Sequence, residues 1–522
     1  MQPAHPRRGL RALLALAALL PVVVALARPW DDALFRGAAH GADWLEHAER
    51  LRSLERWRLG EQRPWAFVLS LDSVYPPGQM LWGMLAGGVL GHSDVAVLRA
   101  NVLWWALISA AAGVVAARLL DGRTGWAAAA IVAGLPAVTG LGTVFHSDLP
   151  VFSLLWAATA WMAWAQDRRP AWAATGTALL VLCALSFKWS AGPWAVLLVP
   201  LSLLAPQPSW RRRAIALGSA AVLVALGTDA FLRQSTTSLS QLASLTYRTP
   251  LSLQPGGLLG VARELLAFLD AASQAQPRHP PSSDRWIVPF RLVVSALSPV
   301  LAGGLAVAAV GGAWRRPRVA ALAIGALVGG LFLAPALLHL PDDRFAVAAL
   351  PGLAIAAAGG WSRLPRRWAL AVAGLWAVVA GAVSWDFHHG RQAYMERDAL
   401  AQAWELPDHF RWRGLGADSS LDGAKGWMHQ RPRGHDGFLP GKQEAWRAVQ
   451  ACDAADLVIH GLDPMLDGPW FEYRNRLDSL EGAGARRLHF DEGPSRAAHL
   501  WVRAQGEGEP ALRVDCAGPP GG

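Results

Sequence analysis

The sequence predicts an α-helical polytopic membrane protein with a small α/β domain at its C-terminal end. Three observations carry this. Apolar residues make up 53% of the 522-residue chain and charged ones only 17%, against about 25% charged in an ordinary soluble domain. Several apolar runs approach the roughly 20 residues that cross a bilayer core as helix. The arginines fall in short clusters between those runs, which is the pattern of cytoplasmic loops. The same clustering argues against nucleic acid as the meaning of the formal charge of +9.

The apolar runs predict about eleven spans by the bilayer-length criterion. They fall near 10–27, 95–118, 125–144, 149–165, 171–187, 192–206, 214–232, 286–311, 319–339, 345–360 and 368–385. The first follows basic residues, as a signal peptide does, and is expected to stay as an uncleaved helix. A further apolar piece, 79–90, is too short to cross at about 1.5 Å per residue and is expected at the interface. With the N-terminus in the cytoplasm, the inner loops hold Arg118–Arg123, Arg168–Arg169, Arg211–Arg213, Arg315–Arg318 and Arg363–Arg367. Each is arginine-rich, so the positive-inside rule holds at every inner turn. The membrane domain is then 1–385, with outer loops at 28–94 and 233–285.

That register puts the unusual polar residues on one outer face. "ARPWDDALF" (27–35) holds Asp31 and Asp32 after the first span. "LDSVYPPGQM" (71–80) holds Tyr75 and a Pro-Pro-Gly turn. "TVFHSDLPVF" (143–152) holds His146 and Asp148, the latter placed to cap the next helix. "LSFKWSAGPW" (185–194) holds Lys188. "LHLPDDRFAVAALPG" (338–352) holds His339, Asp342, Asp343 and Arg344. Lys188 and Arg344 are cations on the side where cations are rare. Either each snorkels to a lipid headgroup, or together they hold an anionic ligand such as phosphate at the membrane surface. Residues 37–60 have helical spacing of Trp and Leu among charges, as a surface-lying helix does.

Residues 386–522 are polar, contain no span and read as an extracytoplasmic α/β domain. "AADLVIHGLD" (454–463) predicts a strand, "ARRLHFDEGPSRAAHLWVRA" (485–504) two strands around a turn, and the tail after Gly506 a disordered end. Of three cysteines, Cys183 reads as a buried small hydrophobe. Cys452 and Cys516 can pair if their domain faces an oxidising compartment.

Taken in order, these positions resemble the polytopic C-type glycosyltransferases (GT-C), in particular the protein O-mannosyltransferases and the bacterial lipid A aminoarabinose transferases. The likeness covers roughly residues 10–385. It rests on the acidic pair Asp31-Asp32 after the first span and on Tyr75-Pro76-Pro77-Gly78. It rests also on Asp148-Leu149-Pro150 opening a span, on Lys188 with Gly192-Pro193, and on Arg344-Phe345 before a helix containing Pro351. The sequence departs from the family in having Asp-Asp for Asp-Glu, and Tyr75 where the aminoarabinose-type relatives carry Lys. The resemblance implies an inverting transfer of a sugar from a polyprenyl-phosphate donor to an extracytoplasmic acceptor at the bilayer. Asp31 or Asp32 is then the general base, with Asp148 also catalytic. Lys188, Arg344 and Tyr75 hold the donor phosphate, and His146, His339, Asp342 and Asp343 orient substrate. No cofactor is implied. His146/Asp148 and His339/Asp342 offer nitrogen and oxygen ligands, but the Asp-x-Asp motif of the metal-dependent oligosaccharyl relatives is absent, so no metal is assigned. High Ala, Arg, Trp and Gly content suggests a GC-rich bacterial genome, hence an inner-membrane location.

A transporter or flippase for a lipid-linked sugar is the competing reading. Transporters hold polar groups at mid-bilayer in broken helices and often in repeated halves; here the polar residues gather at one face and no clear repeat is visible. A membrane-anchored binding protein is a third reading, and the C-terminal stretch has no recognisable catalytic motif to support it.

Overall fold

The computed structural model describes Val23 and residues 76–90, 99–142, 147–165, 169–188, 191–206, 209–234, 297, 299–333, 345–389, 447–452, 456–462, 487–492 and 513–515. The helices in order are α1 Gly78–Leu90, α2 Val102–Leu119, α3 Gly122–Ala133, α4 Pro136–Gly142, α5 Asp148–Ala165 and α6 Pro170–Phe187. There follow α7 Ala191–Leu198, which tightens into a 3₁₀ turn at Val199–Leu204, and α8 Trp210–Gln234. Then come α9 Pro299–Ala313, α10 Pro317–Leu327 with a π-helical turn at Val328–Leu333, α11 Ala346–Trp361 and α12 Arg366–His389.

Helices begin where the sequence can satisfy a first turn. Pro170 and Pro317 open α6 and α10, positions at which a missing N–H costs no hydrogen bond. Asp121 caps α3, its Oδ1 accepting from the backbone N–H of Arg123 at 2.8 Å and of Thr124 at 2.9 Å. Burial pushes this carboxyl up, but hydrogen bonds from Thr124 and Arg123, with the Arg123 charge, outweigh it and hold the group below its usual range.

Helix ends are closed by arginines from the ends of neighbouring helices and from the turns between them. Arg118 donates from Nε to Ala163 O at 3.1 Å and from Nη2 to Trp164 O at 3.3 Å, capping α5. Arg316 donates to Gly359 O at 3.2 Å in the last turn of α11, and Arg363 to Gly311 O at 3.0 Å in the last turn of α9. Arg213 donates to the carbonyls of Leu203 and Ala205 at the end of the 3₁₀ turn. A guanidinium suits this place because it donates several bonds and complements the negative helix end. Burial and the nearby Arg363 charge pull the Arg316 guanidinium below its usual value, against the opposing pull of Asp121.

The centre of the bundle is α5 and α11, the helices with the most continuous burial. In α11 the alanines and glycines let other helices approach closely. A Cβ on Gly312 of α9 would overlap Ala356 O, and one on Gly360 would overlap Ala308 O. Buried indoles are satisfied across helices: Trp156 Nε1 donates to Ala348 O at 3.0 Å and Trp105 Nε1 to Ala133 O at 2.9 Å.

Several boundaries differ from expectation. The predicted span 125–144 is two helices, because Gly134 ends α3 and Pro136, with no N–H to continue the ladder, opens α4. The predicted span 192–206 changes geometry at Pro200. The predicted span 319–339 passes into the π turn, and residues 334–339 fall outside the described set. Pro351, by contrast, lies inside α11 without ending it. By length and composition α2 and α6 are long and apolar enough to cross a membrane, with α1, α11 and others as shorter apolar helices. Cys183 is exposed on α6, not buried; the apolar character of a run does not by itself report burial. The expected first span, except Val23, and the 37–60 helix lie outside the described residues.

In the C-terminal stretch β1 Asp456–Leu462, β2 Arg487–Glu492 and β3 Arg513–Asp515 form a sheet of order β2-β1-β3. β1 pairs parallel with β2 and antiparallel with β3. β3 corrects the expectation of a disordered tail after Gly506: Val514 stands opposite buried Ile459 and completes the sheet edge. The other strand expected within 485–504 lies outside the described residues. Cys452 is buried and disulfide-bonded, while Cys183 is free.

Candidate active site

Two antiparallel neighbours, α5 and α6, each of 18 residues, bring the start of one level with the end of the other. Asp148 occupies the first turn of α5, and Lys188 is the residue at which α6 ends, in an extended conformation with its N–H on Ala184 O. Although 40 residues apart, they form a salt bridge, Lys188 Nζ to Asp148 Oδ1 at 2.8 Å. The Lys188 side chain is 10% exposed and that of Asp148 1%. Lys188 therefore turns inward and does not snorkel to a headgroup.

Burying two charges is costly unless the geometry compensates. Here both helix dipoles do so: the carboxylate sits at a helix N-terminus and the ammonium at a helix C-terminus. The ring of Phe345, 5.9 Å from Lys188 Nζ, presents its negative face to the cation. Phe345 caps α11 and directly follows Arg344 in sequence. Behind it, Trp194 lies 5.1 Å from Phe345 and 5.2 Å from Phe152, ring centre to ring centre. Trp194 Nε1 also donates to Gly330 O at 3.4 Å in the π turn. One tryptophan thus anchors both borders, Gly330 and Phe345, of the segment that carries His339, Asp342, Asp343 and Arg344.

A second wall comes from α1, the helix after the Pro-Pro-Gly turn. A Cβ on Gly78 would lie 2.5 Å from Ser186 O and 2.8 Å from the Phe187 ring, so only glycine lets α1 seat on the end of α6. Trp104 of α2 packs at a tilt against Trp82 of α1 at 4.7 Å and edge-on to Phe187 at 5.3 Å. Trp82 Nε1 donates to Asn101 Oδ1 at 3.1 Å.

Of the ten residues singled out from sequence, the structure brings Asp148 and Lys188 into contact. Asp31, Asp32, Tyr75, His146, His339, Asp342, Asp343 and Arg344 lie outside the described residues. Sequence reasoning missed Trp194, although it lies in a stretch it quoted. A signal existed for Trp194: a tryptophan six residues past the charged helix end, opening the next apolar run.

No family model matches the chain, and no curated protein matches it in sequence. Solved structures do. The aminoarabinose transferase ArnT from Cupriavidus metallidurans bound to undecaprenyl phosphate superposes over 96% of this chain and 99% of its own, with a TM-score of 0.50 at 17% identity. The same protein in its apo state matches at a TM-score of 0.44 and 13% identity, over 95% of this chain and 88% of that one. The oligosaccharyltransferase AglB from Archaeoglobus fulgidus, in complex with an inhibitory peptide and a dolichol-phosphate, matches at a TM-score of 0.43 and 13% identity, over 73% of this chain. The chain spans 56% of that archaeal protein's length. In fold the chain is therefore similar to this aminoarabinose transferase, a helical polytopic membrane protein.

Proposed function

We propose that the protein is an inner-membrane glycosyltransferase that moves a sugar from a polyprenyl-phosphate carrier to an extracytoplasmic acceptor, with inversion at the anomeric carbon. The observation that carries this is the end-to-end likeness in fold to a transferase bound to undecaprenyl phosphate. The buried Lys188–Asp148 pair supports it, because it joins two of the residues for which the resemblance implies a role. The acceptor oxygen attacks the anomeric carbon as the bond from that carbon to the phosphate oxygen breaks. The proton passes to Asp31 or Asp32, and polyprenyl phosphate leaves against Lys188 and Arg344. Asp148 holds Lys188 in place between turnovers. Tyr75 adds a contact to the phosphate, and His146, His339, Asp342 and Asp343 orient the sugar or the acceptor. Eleven spans, an inner N-terminus and an outer 386–522 domain complete the reading, supported by the arginine loops and by the disulfide at Cys452.

Deletion of the gene is expected to make one polyprenyl-phosphate sugar accumulate while one envelope glycan or lipid loses that sugar, read by mass spectrometry of envelope extracts. An unchanged pool of lipid-linked sugars, with every glycan intact, contradicts the transferase. An alkaline phosphatase fused after Gly522 is expected to be active and a fluorescent cytoplasmic reporter there dark. The reverse pattern overturns the topology and the outer site with it.

A further inference from the structure

We infer that Gln79, with the indole N–H of Trp104, reads hydroxyl groups of the donor's sugar, a specificity role separate from the charged pair. The inference rests on the transferase reading above. Gln79 is 0% exposed, and among the described residues neither its Oε1 nor its Nε2 has a hydrogen-bond partner. Trp104 Nε1 is likewise buried without one. An apolar side chain of the same shape avoids this cost entirely, so an unsatisfied buried carboxamide calls for a reason.

The two groups belong to one neighbourhood. Gln79 precedes Trp82 by three residues, on the same side of α1, and Trp82 packs against Trp104. The start of α1 seats against Ser186 and Phe187, directly before Lys188. An aromatic surface of Trp82, Trp104 and Phe187 thus adjoins a neutral set of donors and one acceptor. The chemistry of that set selects the ligand. A phosphate only accepts, and leaves Gln79 Oε1 unmet. A hydroxyl both donates and accepts, so two neighbouring hydroxyls satisfy Oε1 and Nε2 together, and a third group accepts from Trp104. A sugar ring also offers apolar C–H faces to the indoles. Among the described elements α1 packs chiefly on α6, and its far end, at Leu85, Val89 and Leu90, is exposed.

The test uses the full chain in nanodiscs with two kinds of probe, bare undecaprenyl phosphate and a panel of undecaprenyl-phosphate monosaccharides. Wild-type protein is expected to prefer one sugar-bearing probe over the bare carrier. Gln79→Met, close in shape but without either polar group, is expected to bind the bare carrier as wild type does and to lose about tenfold of that preference. Its ligand-free melting temperature is expected to stay level or rise. Trp104→Phe, which keeps an aromatic ring and removes the N–H, is expected to lose part of the same preference. A Gln79→Met protein that keeps the full preference, or one that melts lower and binds both probes equally weakly, overturns the inference and leaves the transferase standing. Wild-type protein that binds no probe, bare or sugar-bearing, overturns the transferase reading itself.

Discussion

Lys188→Met alone is expected to lower the unfolding free energy by about 3–5 kcal/mol, the usual consequence of stranding one member of a buried ion pair. Asp148 is the stranded partner, with its side chain 1% exposed, and no solvent reaches it to replace the lost ammonium. Turnover is expected to vanish together with carrier binding. Restoring stability separates the two effects. The double variant Asp148→Leu with Lys188→Met replaces the pair by apolar groups of similar size, a change that is commonly neutral or stabilising. It is expected to recover most of the melting temperature and none of the transfer activity. Thermal unfolding in detergent and transfer from a labelled polyprenyl-phosphate sugar measure the two quantities on the same preparations. A double variant that transfers sugar at the wild-type rate reduces the pair to a structural clasp.

The second large effect belongs to the acidic pair after the first span. Asp31→Asn or Asp32→Asn is expected to cut turnover by about 10²–10⁴, the usual cost of removing a positioned base. Binding of the carrier stays intact, because a base acts on the acceptor only as the bond forms. Lys188 variants lose binding and turnover together, so the comparison assigns different roles to the two groups. The measurement is binding of a polyprenyl-phosphate analogue beside single-turnover transfer. Full activity in both Asp variants removes this loop from catalysis.

Much of the helical scaffold is legible in the amino-acid order. The runs read as 149–165, 171–187 and 345–360 match α5, α6 and α11 to within a residue or so at each end, because hydrophobic length and arginine punctuation fix them. The breaks are less legible. Pro136 divides a predicted span and Pro351 does not. The difference lies in surroundings: α11 is enclosed on all sides by other helices, which support the backbone where the proline removes a bond. The Lys188–Asp148 contact was within reach of sequence reasoning. Two runs of equal length joined by a short turn must bring the opening residue of one beside the closing residue of the next. The unsatisfied Gln79 was not, since periodicity marks a face and cannot say whether a carboxamide there finds a partner.

The arginine clasps at the helix ends have a consequence for how the chain assembles. Arg118 emerges 45 residues before its acceptor at Ala163, and Arg316 emerges 43 residues before Gly359. Each must wait, charged and unclasped, for a helix not yet made. Arg363 finds Gly311 already 52 residues behind it and can close at once. The chain is therefore stitched along one end of the bundle partly forward and partly backward, and Arg363 fastens the α9–α11 unit as soon as it appears. Lysine in these places would still orient the loops by charge, yet would lack the planar fork that lets Arg118 hold two carbonyls at once. Under the proposed topology, orientation during insertion and fastening after it are two separable duties of the same side chains.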